Sequence, residues 1–336
     1  MSLPIDAVIA VTYRCDSRCN MCSIWQLPPG DELAPGEYRK LPRTLRDINI
    51  TGGEPFLRED LVEIVRIMYE RCNHPRIVIS TNGFERRRIL HAAPDLMKIG
   101  RKIGLAVSLD GIGEKHDEIR GIEGGFDKVV ETLKALRTIG YRNVRVAFTA
   151  QRDNVKHLGA VYDLSRQFGY QFTTAVAQNS EFYFSTAENQ TVEPLDLAGE
   201  LRYVMRKELL SMSPKRWLRA YFYEGVLTFN VTKERILACR AGRDSLFMDP
   251  EGFVYPCLTL NKPMGSMLTN AFKDMWNGAK AQDVRSEVDR CREPCWMICT
   301  ARTAMMRRPI EPAKWIFANW IRLLAGKRVE CRSQRE

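Results

Sequence analysis

Ile5-Asp6-Ala7-Val8-Ile9-Ala10-Val11-Thr12, followed after two residues by Cys15-Asp16-Ser17-Arg18-Cys19-Asn20-Met21-Cys22, is the stretch that decides the fold. Its first part is a short apolar run of β character, and its second sets three thiols in a loop directly behind that run. Thiolates so grouped select zinc or an iron-sulfur cluster. A structural zinc site wants four closed ligands, and no further Cys or His follows before Cys72. Three thiolates leave one metal position open. On a 4Fe-4S cluster an open iron is free to bind a substrate or cofactor.

The same strand-then-loop pattern recurs through the first half of the chain. Strands are expected over Asp47 to Thr51, Arg76 to Ser80, Ile103 to Leu109, Asn143 to Ala150 and Gln171 to Val176. Between them lie helical patterns such as Leu61 to Arg71 and Phe126 to Ile139. Repeated βα units predict parallel strands covered by helices, with functional residues at the C-terminal strand ends. Six units make an α/β fold of the partial (β/α)6 TIM-like barrel type, open on one side.

Four further motifs fall at those strand ends: Thr51-Gly52-Gly53-Glu54-Pro55, Ser80-Thr81-Asn82-Gly83, Ser108-Leu109-Asp110-Gly111 and His116-Asp117-Glu118-Ile119-Arg120-Gly121. Together with the three cysteines they resemble the radical S-adenosylmethionine (SAM) superfamily, over about the first 180 residues. That resemblance implies that Cys15, Cys19 and Cys22 hold a 4Fe-4S cluster whose open iron chelates SAM, and that reductive cleavage yields a 5'-deoxyadenosyl radical. It implies cofactor contacts from Gly52, Gly53 and Glu54, from Ser80, Asn82 and Ser108, and from Arg120, whose guanidinium suits a carboxylate. Met21 departs from the family pattern, which often has an aromatic residue there to cover the adenine. Ser80 and Asn82 also suit helix capping.

The chain has ten cysteines, six of them between Cys239 and Cys331. Cys239 precedes Gly252 by thirteen residues and Cys257 follows that glycine by five; Cys291, Cys295 and Cys299 come later. This spacing resembles the SPASM and Twitch extensions of the same superfamily, which bind auxiliary clusters. The run of close cysteines is shorter than in SPASM, so the expectation is a Twitch-like domain with one auxiliary 4Fe-4S cluster on Cys239, Cys257 and two or three of Cys291, Cys295 and Cys299. A two-cluster arrangement with Cys331 as last ligand, and zinc in the same thiolates, are the alternatives. Strand signals at Ser245 to Met248 and Phe253 to Tyr255 predict a hairpin presenting these cysteines. Cys72, in a helical pattern, reads as a small buried hydrophobe.

The expected organisation is a radical SAM core over 1–195, a bridging helical segment over 196–238, and an auxiliary-cluster domain over 239–336 ending in an amphipathic helix. That last pattern, Lys314 to Arg328, carries two tryptophans and basic flanks. It either docks on the barrel or lies in a membrane interface. No secretory signal and no run of ~20 apolar residues is visible, so the expected location is the cytoplasm or the inner face of the membrane. The 51 Lys and Arg against 41 Asp and Glu suit an anionic ligand, but no nucleic-acid motif accompanies them.

These readings predict an oxygen-sensitive radical SAM enzyme that abstracts a substrate hydrogen for oxidation or crosslinking, as in peptide maturation. Radical modification of a carbohydrate or lipid precursor is the alternative, and a non-catalytic redox-sensing protein is the alternative of another class. A low-potential donor such as flavodoxin or ferredoxin would supply electrons. No general base is identified from sequence.

Overall fold

A computed structural model describes residues 2–187, 189, 192–269, 271–291 and 295–334. Six strands follow one another as anticipated: β1 (Asp6–Thr12), β2 (Asp47–Gly52), β3 (Arg76–Thr81), β4 (Ile103–Ser108), β5 (Val144–Ala150) and β6 (Gln171–Val176). They pair in parallel in the order β6-β5-β4-β3-β2-β1. β1 is buried along its whole length, as a strand with neighbours on both edges and cover on its faces must be.

The alternation in the other strands defines the architecture. Val144, Val146, Phe148 and Ala150 of β5 are buried under the helical layer, whereas Arg145, Ala147 and Thr149 are only half-buried. Residues of this second parity face the lumen of the partial barrel, and a lumen lined by small and polar side chains leaves room for a ligand.

β7 (Ser245–Met248), β8 (Phe253–Tyr255) and the short β9 (Gly265–Ser266) complete a nine-stranded sheet. β7 and β8 form the hairpin expected from sequence. That hairpin extends the barrel sheet, because β7 pairs in parallel with β1, from Asp6 against Ser245 to Ile9 against Met248. At the hairpin turn Asp249 Oδ1 accepts the Glu251 and Phe253 N–H groups, which fixes the chain just before Cys257.

The intervening segment forms two helices, Pro194–Leu209 and Pro214–Thr232, the second buried from Ala220 to Asn230. The terminal helix Ile310–Leu324 docks on it through Trp315 against Tyr221 and Trp320 against Trp217. Its other face leaves Ile310, Phe317, Ile321 and Leu324 exposed. Among the described residues no helix is long and apolar enough to cross a membrane.

Candidate functional site

The register of β1 on β2 shifts between Ala10 and Thr12, where the chain leaves the sheet for the cysteine loop. Gly52 and Gly53 make the next approach possible. A Cβ on Gly52 would stand 2.1 Å from the Thr12 carbonyl oxygen, and one on Gly53 would stand 2.2 Å from that of Arg14. With no side chain there, Gly53 N–H donates to Thr12 and Glu54 N–H donates to Arg14, each at 2.8 Å. The loop after β2 is thereby stitched to the loop that carries the thiols.

Cys15, Cys19 and Cys22 line one cavity of about 370 Å³ at the C-terminal ends of the strands. Gly52, Gly53, Ser80, Asn82, Ser108 and Arg120 share its wall. Burial pushes the Cys15 thiol up to about 12 and the Cys22 thiol up to about 11, so thiolates there need a compensating positive centre. Among the described residues no three Cys, His, Asp or Glu side chains converge as ligands of a single metal ion. A four-iron cluster asks for something else, thiolates spread over different irons, and three cysteines around one cavity suit it.

Two of the expected cofactor contacts differ in detail. Glu54 is wholly buried behind the cavity wall rather than on it, where one oxygen accepts Phe56 N–H at 3.0 Å and the other accepts Thr81 Oγ1 at 3.0 Å and Asn82 N–H at 2.7 Å. Burial outweighs those bonds and pushes its carboxyl up to about 8. Its sequence motif is intact; Phe56 of its own loop has claimed one oxygen, and Thr81 and Asn82 at the end of β3 the other. Arg120 does reach the cavity, but its Nε donates to Asp110 Oδ2 at 2.6 Å and its Nη2 pairs with the same carboxylate. Its Nη1 donates to Cys19 Sγ at 3.6 Å, so the guanidinium bridges the Asp110 carboxylate and a loop thiol.

Asp110 is in turn held by Thr149 N–H at 2.6 Å, while His116 Nδ1 accepts the Asp110 N–H. Burial drops His116 to about 3, so the ring is neutral. Asn82 makes a local turn rather than a helix cap, since the next helix begins at Arg86 with Glu85 in the cap position. Its Oδ1 accepts Phe84 N–H at 3.0 Å as a turn cap, and its Nδ2 donates to Asp16 Oδ1 at 2.6 Å.

Other wall residues escaped the motif reading: Ser17, Trp25, Tyr183 and the run Trp296 to Ile298. Ser17 lies 3.1 Å from Cys19 Sγ and donates to the Arg120 carbonyl. Tyr183 is buried with its hydroxyl 3.2 Å from Thr51 Oγ1. Its only sequence signal is the aromatic cluster Phe182-Tyr183-Phe184, after the sixth strand. Trp25 supplies an aromatic ring that position 21 lacks.

Cys239 lies within electrostatic reach of Cys257 and Cys291, Cys295 within reach of Cys257 and Cys239, and Cys299 within reach of Cys257 and Cys295. Residues 292–294, between two of them, fall outside the described residues. Arg235 donates through Nε to the Cys295 carbonyl at 3.1 Å, and its Nη2 lies 3.3 Å from Cys295 Sγ. Cys299 also stands on the wall of the first cavity, so the two cysteine regions are neighbours. Cys331 does not join them: it is buried with Glu224 and Arg202 as its charged neighbours. Its spacing from Cys299 made it a candidate ligand, but the docked terminal helix carries it elsewhere. Cys72 is buried at the end of its helix, as expected.

A family model described as the radical SAM superfamily matches residues 9–164, and one described as an iron-sulfur cluster-binding domain, SPASM, matches residues 239–300. The chain is 25% identical over 298 residues to an AdoMet-dependent heme synthase of Methanosarcina barkeri, covering 80% of this chain and 81% of that one. It is 27% identical over 267 residues to the mycofactocin maturase MftC of Mycobacterium tuberculosis, covering 75% of this chain but 65% of the relative, just under two thirds. In fold it is similar to anSMEcpe solved with AdoMet and the Cp18Cys peptide, with a TM-score of 0.63 and 13% identity over 94% of this chain and 99% of that one. The chain belongs to the radical SAM superfamily and carries a SPASM domain, an enzyme whose cofactors are SAM, a 4Fe-4S cluster and auxiliary iron-sulfur.

Proposed function

We propose that this chain cleaves SAM reductively and takes a hydrogen atom from a peptide, leading to oxidation or crosslinking. The observation that supports it is the shared cavity: three loop thiols, Gly52, Gly53 and Arg120 line one space that Cys299 also borders. When bound, the reduced cluster and SAM supply the deoxyadenosyl radical. Cys15, Cys19 and Cys22 hold that cluster, and Gly52, Gly53, Ser80, Asn82, Ser108 and Arg120 hold the cofactor. Glu54 and Asp110 act from behind, the first fixing the Asn82 backbone and the second aiming Arg120.

Cys239, Cys257, Cys291 and Cys295 carry one auxiliary 4Fe-4S cluster, with Cys299 as the thiol between it and the substrate space. In this reading residues 1–195 do the radical chemistry, 239–336 carry the auxiliary cluster, and 196–238 join them. A flavodoxin or ferredoxin donates electrons in the cytoplasm. The peptide-bound relative favours a peptide substrate. Deoxyadenosine formation by anaerobically reconstituted, dithionite-reduced protein is the test, with deuterium transfer from labelled peptides encoded beside the gene identifying the substrate. No deoxyadenosine from cluster-loaded protein overturns the reading.

A second substrate reading rests on the relative named a heme synthase, most of whose length the chain spans. Mass loss from an added iron porphyrin, with none from peptide, would select it. The exposed stripe Ile310, Phe317, Ile321 and Leu324 supports peripheral membrane contact. Phe317→Glu/Leu324→Glu is expected to abolish co-sedimentation with phosphatidylglycerol vesicles, and unchanged co-sedimentation refutes that contact.

A further inference from the structure

The opposite mouth of the barrel carries a second convergence of charge. Strand parity sets it. On β5, Arg145 shares a face with Thr149 of the cofactor cavity; on β3, Arg76 shares one with Ser80; on β2, Asp47 shares one with Asn49 and Thr51. Asp47, Arg76 and Arg145 therefore stand at the N-terminal ends of the strands that carry Thr51, Ser80 and Thr149, on the same faces, while the matching position on β4 is Gly104. Asp6 and Gln171 stand at the same end of the barrel, on β1 and β6.

Helices close over it and add Lys215 and Arg219 from Pro214–Thr232 and Arg302 from Ile298–Arg307. Most of these charges are matched. Arg302 Nε donates to Asp6 Oδ2 at 2.7 Å, and Arg76 pairs with Asp47. Arg219 donates to Gln171 Oε1 at 2.9 Å and shares Glu208 with Arg216. Asp47 is the carboxylate that faces Arg145, and Arg76 and Arg302 already share one of its oxygens.

Arg145 and Lys215 are not matched. Neither makes a hydrogen bond or ion pair among the described residues, and both face Arg76 and Arg219. Burial, with those arginines adding to it, holds Arg145 down to about 9 and Lys215 down to about 8. A largely buried guanidinium without a counter-charge is costly. Arg145 retains some accessible surface, and Lys215 beside it is exposed to solvent.

We propose that this mouth of the barrel binds a phosphate-class oxyanion between Arg145 and Lys215, with Arg76 and Arg219 flanking it. A guanidinium offers two parallel N–H donors to such an anion, and the lysine adds a mobile point charge at the rim. The site lies at the end of the barrel away from the thiols, so its occupancy is separable from SAM cleavage.

The test is thermal unfolding of the cluster-loaded protein, under anaerobic conditions, titrated with inorganic phosphate or glycerol phosphate against potassium chloride of equal ionic strength. Phosphate is expected to raise the wild-type midpoint saturably, with at least tenfold weaker apparent binding in Arg145→Gln and in Lys215→Gln and partial retention in Arg145→Lys. Without phosphate, Arg145→Gln is expected to melt higher than wild type because like-charge repulsion is relieved. Tighter binding of glycerol phosphate assigns the site to a phosphorylated organic molecule, and tighter binding of inorganic phosphate assigns it to the free ion. Identical phosphate responses in wild type and Arg145→Gln, or a chloride response equal to that of phosphate, would overturn the site. Deoxyadenosine formation in the absence of substrate is expected to be unchanged in all three variants.

Discussion

The two cysteine regions reach neighbouring places by different routes. Cys15, Cys19 and Cys22 sit in a single loop eight residues long from first thiol to last, so strand β1 and a short loop closure suffice to gather them. Cys239, Cys257, Cys291 and Cys295 span 57 residues and come together only after β7 has paired with β1 and the helix Ala279–Arg290 has packed. The first site is local, and the second is a consequence of the tertiary fold. Each nevertheless has one arginine against a thiol, Arg120 at Cys19 and Arg235 at Cys295.

The sharpest way to break this comparison is to delete each set. Cys15→Ala/Cys19→Ala/Cys22→Ala is expected to reduce deoxyadenosine formation to background. Cys239→Ala/Cys257→Ala/Cys295→Ala is expected to keep substrate-free cleavage while losing conversion of substrate, with iron content falling by about four per chain in either variant. Equal loss of cleavage in both would mean that the regions fold and fail as one unit.

A smaller effect is expected behind the first site. Asp110→Asn removes the charge that aims Arg120, and the KM for SAM should rise roughly tenfold or more, since freeing one member of a buried pair is costly. Ser108→Ala, beside it on the wall, should cost less. The reverse order would move the positioning role from the ion pair to the hydroxyl.

How these regions looked in sequence follows from the same difference. The six strands, the cysteine loop and the Gly-Gly turn were legible because each is a local signal repeated at a βα period. Glu54 was legible as a motif but not as a buried group, because its partners Thr81 and Asn82 are 27 and 28 residues away. Tyr183 and Trp296 carry no motif and enter the cavity only by tertiary packing. The pairing of β7 with β1 was likewise invisible, since nothing in a four-residue strand states which edge it will join.

The two arginines offer a matched perturbation. Removing a cation beside a cluster ligand favours the oxidised state. Arg120→Met should therefore lower the potential of the SAM-binding cluster, and Arg235→Met that of the auxiliary cluster, each by roughly tens of millivolts in a redox titration followed by electron paramagnetic resonance. A shift of the same cluster in both variants would contradict the pairing of arginine with thiol.

The smallest effect separates the buried carboxyl beside each region. Burial raises Glu54 from 4.5 to about 8, and Asp249, before Cys257, from 3.8 to about 6. A carboxyl raised in the folded state contributes stability that is complete below its unfolded value and is lost as pH rises through its folded value. Glu54 is thus expected to weaken the fold progressively from about pH 4.5 to 8, at no more than roughly 1.4 kcal/mol per pH unit. The Asp249 contribution is already largely lost near pH 6. Urea unfolding of the cluster-loaded protein between about pH 6.5 and 8.5 should then decline with pH in wild type and in Asp249→Asn but stay flatter in Glu54→Gln. If Asp249→Asn flattens the slope as much as Glu54→Gln, the titrating group is not the one behind the cofactor wall.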